Sequence, residues 1–130
     1  PYTLSLHDAL PIFGLFKAAK EMNKWAIGVD SDQAAALPEY KDVILISMEK
    51  KVDATVKDVI KDIQNDKFQG GKHLVLGIKE DKVDIAPTRH EKLSKEALEL
   101  SEKYKENIKN GKFTVPGTRK ELKEFKVPQI

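Results

Sequence analysis

Ala26-Ile-Gly-Val-Asp-Ser-Asp-Gln33 is the stretch on which the fold turns. Trp25–Val29 is a short apolar run, long enough for a buried strand, and it stops abruptly at Asp30. Before it, Leu15, Ala18, Ala19 and Met22 recur at helical spacing and predict a helix over Gly14–Lys24. After it, Ser31–Asp42 is polar, contains Pro38 and reads as a loop. Val43–Met48 is a second strand-like run. In Val52–Asp66 the residues Val52, Val56, Ile60 and Ile63 share one helix face, with Lys57, Lys61 and Asp62 opposite. His73–Ile78 and Val83–Ala86 are further apolar runs, separated by the charged turn Glu80–Lys82; Gln69-Gly-Gly71 is a turn. Thr88-Arg-His-Glu91 fits a capping box for a helix with Leu93, Ala97, Leu100, Tyr104 and Ile108 on one stripe, stopped by Gly111. Thr114–Gly117 reads as a turn and Arg119–Phe125 as a last short helix. The order helix, strand, strand, helix, strand, strand, helix predicts an α/β layer architecture with a largely parallel sheet.

Composition narrows the function. A chain of 130 residues is one domain or part of a larger one. With 40% hydrophobic residues it has enough apolar material for a core. Lys and Arg number 23 against 21 Asp and Glu, and the signs are interleaved, so no clustered basic surface invites nucleic acid. The Lys/Glu-rich segment 91–126 reads as a solvated helix face. The absence of Cys excludes disulfides, thiolate chemistry and Cys-based zinc sites. No apolar stretch approaches the ~20 residues of a membrane span. The first residues do not read as a signal peptide.

The chemistry-bearing candidates lie at strand ends. A strand closing at Asp30 puts a carboxylate at the carboxyl edge of the sheet, where open α/β sheets hold ligands. One carboxylate can accept both hydroxyls of a vicinal diol, which suits a sugar. Asp30 and Asp32 equally suit turn formation after a strand. A calcium loop fails, because Ala35 and Lys41 stand where Gly and Glu are required. Strand-Asp-x-Asp also resembles the nucleophile motif of haloacid-dehalogenase phosphatases, which would use Asp30 and Asp32 with magnesium. Ala34 departs from that pattern. Ile46-Ser-Met-Glu-Lys-Lys-Val-Asp53 leads from the second strand into the amphipathic helix, so Lys50 or Lys51 could reach a crevice beside Asp30. His7, His73 and His90 lack zinc-ligand spacing, with His73 at a strand start and His90 in a helix first turn. No nucleophile–base constellation and no phosphate-binding Gly-rich loop occurs, so no enzyme activity, metal or cofactor is expected.

Tyr2-Thr-Leu-Ser-Leu-His-Asp-Ala-Leu-Pro-Ile12 resembles translated sequencing-adapter read-through, so residues 1–12 are set aside as non-native, His7 and Asp8 with them. Residues 13–130 are then expected to be the C-terminal portion of a longer protein. Gly14-Leu-Phe-Lys-Ala-Ala-Lys-Glu21, Ala26–Gln33, Ile46–Asp53, Gly70-Gly71, Leu76-Gly-Ile-Lys-Glu80 and Val83-Asp-Ile-Ala-Pro87 together resemble the basic membrane protein family, over nearly everything from Gly14 to Pro116.

The resemblance implies the C-terminal part of a type I periplasmic-binding-protein fold, a parallel sheet with flanking helices, truncated at its N-terminus. It implies a substrate-binding lipoprotein of an ABC transporter. Such a receptor is extracytoplasmic and lipid-anchored, closes two lobes on a purine nucleoside and passes it to a membrane permease. It implies that Asp30 and Lys50 hydrogen-bond the ribose and that Gly14 ends a Gly-rich loop touching the ligand. Glu49 departs from the family pattern and sets a second carboxylate beside Lys50. A regulatory ligand-binding domain of the same fold is the further alternative.

Overall fold

The computed structural model describes residues 9–129, with side chains from Ile12. It divides into two compact units, one of residues up to Lys50 with Asp84–Leu93, the other of Lys51–Val83 with Ser94 onward.

The first unit opens with helix α1, Ala9–Glu21. It starts ahead of Gly14 and takes in Ala9–Ile12, part of the stretch set aside above; the other residues of that stretch, His7 and Asp8 among them, lie outside the described residues. Pro11 is tolerated there because first-turn amides have no intrahelical acceptor to lose. The helix ends at Glu21 rather than Lys24. Asn23, at φ +50°, closes it as Asn23 N donates to Lys20 O (3.3 Å) and Lys24 N to Ala19 O (2.8 Å). This is the paired ending that a left-handed residue permits.

Strand β1 is Ala26–Asp30 and strand β2 is Ile44–Lys50, paired in parallel. Between them, where a loop is expected, lie a four-residue helix, α2 (Gln33–Ala36), and a 3-10 turn (Pro38–Tyr40). Pro38 fits the turn's first position because its φ is preset. The core is small: Phe16 and Ala19 of α1, Ala26, Ala34, Val43 and Ile44 are buried, with Ile12, Leu37 and Tyr40 packed against them. The Phe16 and Tyr40 rings lie 6.0 Å apart. Ile27, on the opposite side of β1 from Ala26, is exposed.

The ladder between β1 and β2 carries a bulge: Ala26 pairs with Ile44 but Ile27 with Ile46, so Leu45 is the additional residue. The Leu45 carbonyl accepts instead from His90 N (2.9 Å). Strand β3, Val83–Ile85, lies beside β2, giving the order β1-β2-β3. Ala86 N donates to Ser47 O and His90 N to Leu45 O, so this segment runs back along β2. The expected parallel sheet therefore holds for β1 and β2, while the third neighbour runs antiparallel.

Three further expectations are corrected. His73–Ile78 forms no strand; it finds no neighbouring strand among the described residues, and Leu74 and Val75 stay exposed. The capping box at Thr88 does not start a helix, because Thr88 N donates to Asp32 Oδ2 (3.1 Å) and His90 N is held by β2. Helix α4, Lys95–Lys109, begins instead at Ser94, whose Oγ accepts from Ala97 N (3.1 Å). His90 is thus not in a helix; its ring meets that of Trp25 edge-on at 4.8 Å. Thr114–Gly117 is irregular, with neither a turn nor a regular element assigned to it.

In the second unit, α3 (Val52–Gln64) has the expected amphipathic pattern, but no residue of it is buried. Val52, Val56, Val59, Ile60 and Ile63 are all exposed. Lys82 pairs with Asp58, and Asp81 with both Lys51 (3.5 Å) and Lys109 (3.9 Å). Gly111, at φ +69°, ends α4 as expected. Tyr104 Oη donates to Pro128 O (2.8 Å), and Phe113 packs between the rings of Tyr104 and Phe125. Helix α5, Arg119–Glu124, carries a true capping box of Thr118 and Glu121. No helix among the described residues is long and apolar enough to cross a membrane.

Candidate functional site

Parallel pairing decides what can meet at the end of the sheet. Two adjacent parallel strands finish on the same edge, so the last residues of β1 and β2 are neighbours. Asp30 stands in register with Glu49, and Lys50 follows one position on. Lys50 Nζ lies 2.6 Å from Asp30 Oδ1. The two side chains are 54% and 49% exposed, so both charges remain open to a ligand. An ion pair this exposed contributes only about 0–1 kcal/mol to stability.

The backbone of Asp30 is unusual. Among the described residues, four that are not glycine have positive φ: Asn23, Asp30, Asp66 and Asp81. Asn23, Asp66 and Asp81 close helical turns through paired backbone hydrogen bonds. Asp30, at φ +76°, ends a strand. A regular strand residue at this register shares a face with its partner, which here is Glu49, another carboxylate. Relative to a strand value near −120°, φ at Asp30 has turned by about half a revolution. That swings its Cβ off the face of Glu49, and its carboxylate meets Lys50.

The turn after Asp30 is tied from three sides. Gln33 N donates to Ser47 Oγ (3.2 Å), and Gln33 Nε2 donates to Val29 O (3.0 Å) and Ser31 Oγ (3.2 Å). Ser47 is 1% exposed. Gly28 makes room for this arrangement: a Cβ there would lie 2.3 Å from Ser47 Oγ and 2.8 Å from Gln33 Cβ. The third tie is Asp32. Its Oδ1 accepts from Ala35 N (3.2 Å), capping α2, and its Oδ2 accepts from Thr88 N (3.1 Å). Asp32 thus joins segments 56 positions apart.

The predicted residues divide accordingly. Asp30 and Lys50 come together; Lys51 turns instead to Asp81. Gly14 is not the end of a loop: it lies within α1, exposed, and a Cβ there would meet nothing within 4 Å. Asp32 spends both carboxylate oxygens on backbone amides, which suits capping rather than magnesium chemistry beside Asp30. No group of three or more His, Cys, Asp or Glu among the described residues could hold a metal ion. Gln33 and Ser47 escaped the sequence reading; a glycine inside an apolar strand was their one signal, since it marks a close approach.

Residues 9–119 match the family described as PnrA-like ABC transporter substrate-binding proteins. The chain is 33% identical over 116 residues to a CD4+ T-cell-stimulating antigen of Listeria monocytogenes, covering 79% of this chain and 32% of that one. It is 33% identical over 118 residues to the ABC transporter nucleoside-binding protein BmpA of Lactococcus lactis, with coverage of 79% and 32%. It is 33% identical over 107 residues to Basic membrane protein D of Borreliella burgdorferi, with coverage of 79% and 30%. The chain thus spans about a third of the length of these curated relatives. A solved solute-binding protein of an ABC transporter system from Aeropyrum pernix shares the fold, with a TM-score of 0.60 at 24% identity over 86% of this chain and 40% of that one.

Proposed function

Because the chain belongs to the PnrA-like family of ABC transporter substrate-binding proteins, we propose that it supplies the sugar-reading edge of a purine-nucleoside receptor. The receptor is not an enzyme; it is extracytoplasmic and lipid-anchored, and it delivers its ligand to a membrane permease. The observation that carries this reading is the exposed Asp30–Lys50 pair at the common end of two parallel strands. Asp30 accepts from the two ribose hydroxyls, and the Lys50 ammonium donates to one of the same oxygens. Both partners are already held side by side, so little ordering is left for the ligand to impose. Closure follows from differential binding, since a ligand touching both lobes favours the state in which both can reach it.

The edge alone is a weak site. Two or three hydrogen bonds to charged groups supply roughly 3–9 kcal/mol, against roughly 4–15 kcal/mol of lost ligand freedom. Binding in the millimolar range or weaker is expected from this chain. The test is an NMR titration of the labelled chain with inosine, guanosine and adenosine beside 2′,3′-dideoxyinosine. Ribonucleosides should move the Asp30 and Lys50 resonances and the dideoxy compound should not. Asp30→Ala and Lys50→Ala should abolish the response. No response to any ribonucleoside, or an equal response to the dideoxy compound, sinks the sugar reading. Micromolar affinity sinks the claim that this edge is only part of a site.

A further inference from the structure

We infer that Gln33 is a positioning residue for Asp30, holding it in the left-handed conformation in which its carboxylate meets Lys50. A non-glycine residue with positive φ at a strand end is disfavoured and persists only when its surroundings over-determine it. The side-chain amide of Gln33 supplies that determination. Its Nε2 donates to the Val29 carbonyl just before Asp30 and to the Ser31 hydroxyl just after it. One planar group thus bridges the two residues that flank Asp30.

Gln33 is itself fixed from behind. Its backbone amide is bound by the buried Ser47 hydroxyl, and its Cβ and Cγ occupy the space that the absent side chain of Gly28 leaves open. Gly28, Ser47 and Gln33 therefore form one tight packing, and its output is the direction of the Asp30 side chain. Ser47 belongs to the strand that carries Lys50, so the acid is aligned against the element bearing its base.

The conformational half of this inference stands on geometry alone; its consequence for ligand rests on the nucleoside reading above. Two variants separate hydrogen bonding from space filling. Gln33→Glu keeps the shape but cannot donate at neutral pH, and Gln33→Ala removes both; each keeps the backbone bond to Ser47. In the ligand-free wild-type chain, the Gln33 side-chain amide protons should exchange more slowly than those of a free glutamine. The Asp30 Cα and Cβ shifts should report a left-handed residue. In both variants those shifts should move toward extended values while amide resonances away from 28–33 and 47 stay in place. The inosine concentration needed to shift Lys50 should rise about threefold to tenfold, the worth of one or two lost hydrogen bonds.

Free-amide exchange at Gln33 in the wild type, which requires no variant to fold, overturns the inference. So does an unaltered Asp30 signature in Gln33→Glu. If the wild type ignores inosine while both ligand-free signatures hold, the nucleoside reading fails and the positioning role stands.

Discussion

Lys50 Nζ sits 2.6 Å from Oδ1 of Asp30, although the residue in register with Asp30 is Glu49. The pairing is made by the direction of a side chain at a left-handed strand end. Its consequences separate stability from binding.

At most exposed positions a substitution changes stability by less than about 0.5 kcal/mol. Asp30 should be an exception. Asp30→Val places a β-branched residue at φ +76° and is expected to cost about 1–2 kcal/mol in urea denaturation. Lys50→Ala, across the same ion pair, should cost no more than about 1 kcal/mol. Equal losses from the two would mean that the pair, rather than the backbone, carries the cost.

Gly28→Ala is expected to destabilise the chain by about 1–3 kcal/mol through overpacking. The new methyl meets Ser47 Oγ, which would have to give up its bond from Gln33 N to move aside, and the root of the Gln33 side chain. Adding Ser47→Ala should recover part of the loss, because it removes the nearest obstruction. A neutral Gly28→Ala in a urea titration would show that the turn relaxes freely.

Ser94→Ala should cost about 1 kcal/mol and shorten α4 at its N-terminus by circular dichroism and amide exchange. Thr88→Ala should leave the helix as it is, since Asp32 holds the backbone amide of Thr88 and a methyl side chain keeps that amide. The reverse ranking would return the helix start to Thr88.

The Asp58 carboxyl lies below its ordinary value of 3.8 because Lys82 hydrogen-bonds it. A carboxyl depressed in the folded state contributes stability above its unfolded value, and the contribution is lost as pH falls through the lower folded value. The urea midpoint should therefore decline on acidification below about pH 4. Asp58→Asn should flatten that part of the profile while leaving the decline due to other carboxylates. An unchanged acid limb would remove the Lys82 contact from the account.

Much of the site edge was legible because it is local. An apolar run that stops at an acid marks a strand end, and two such runs paired in parallel through a crossover connection bring Asp30 and Lys50 to one edge. What stayed hidden depends on distant partners. Thr88 carries a good capping signature, yet its amide is claimed by Asp32, 56 positions earlier. His73–Ile78 has a strand's composition, but composition does not show whether a neighbouring strand exists to pair with it. The stripe on α3 was readable as apolar, and nothing in its periodicity foretold that Val56 and Ile60 would remain exposed. Gln33 reads as one more polar residue in a turn until the hole left by Gly28 is seen to contain it.

The bulge at Leu45 has a bearing on the whole edge. Without it, the pairing of Ala26 with Ile44 would continue evenly and set Asp30 against Met48. The ammonium-bearing residue would then stand two steps beyond the acid instead of one, about 3.3 Å further along the strand. Deleting Leu45 would remove the miscount and keep Ile27 against Ile46, so Asp30 would still face Glu49 with Lys50 one step on; pairing Leu45 instead of bulging it is what would part the two opposite charges.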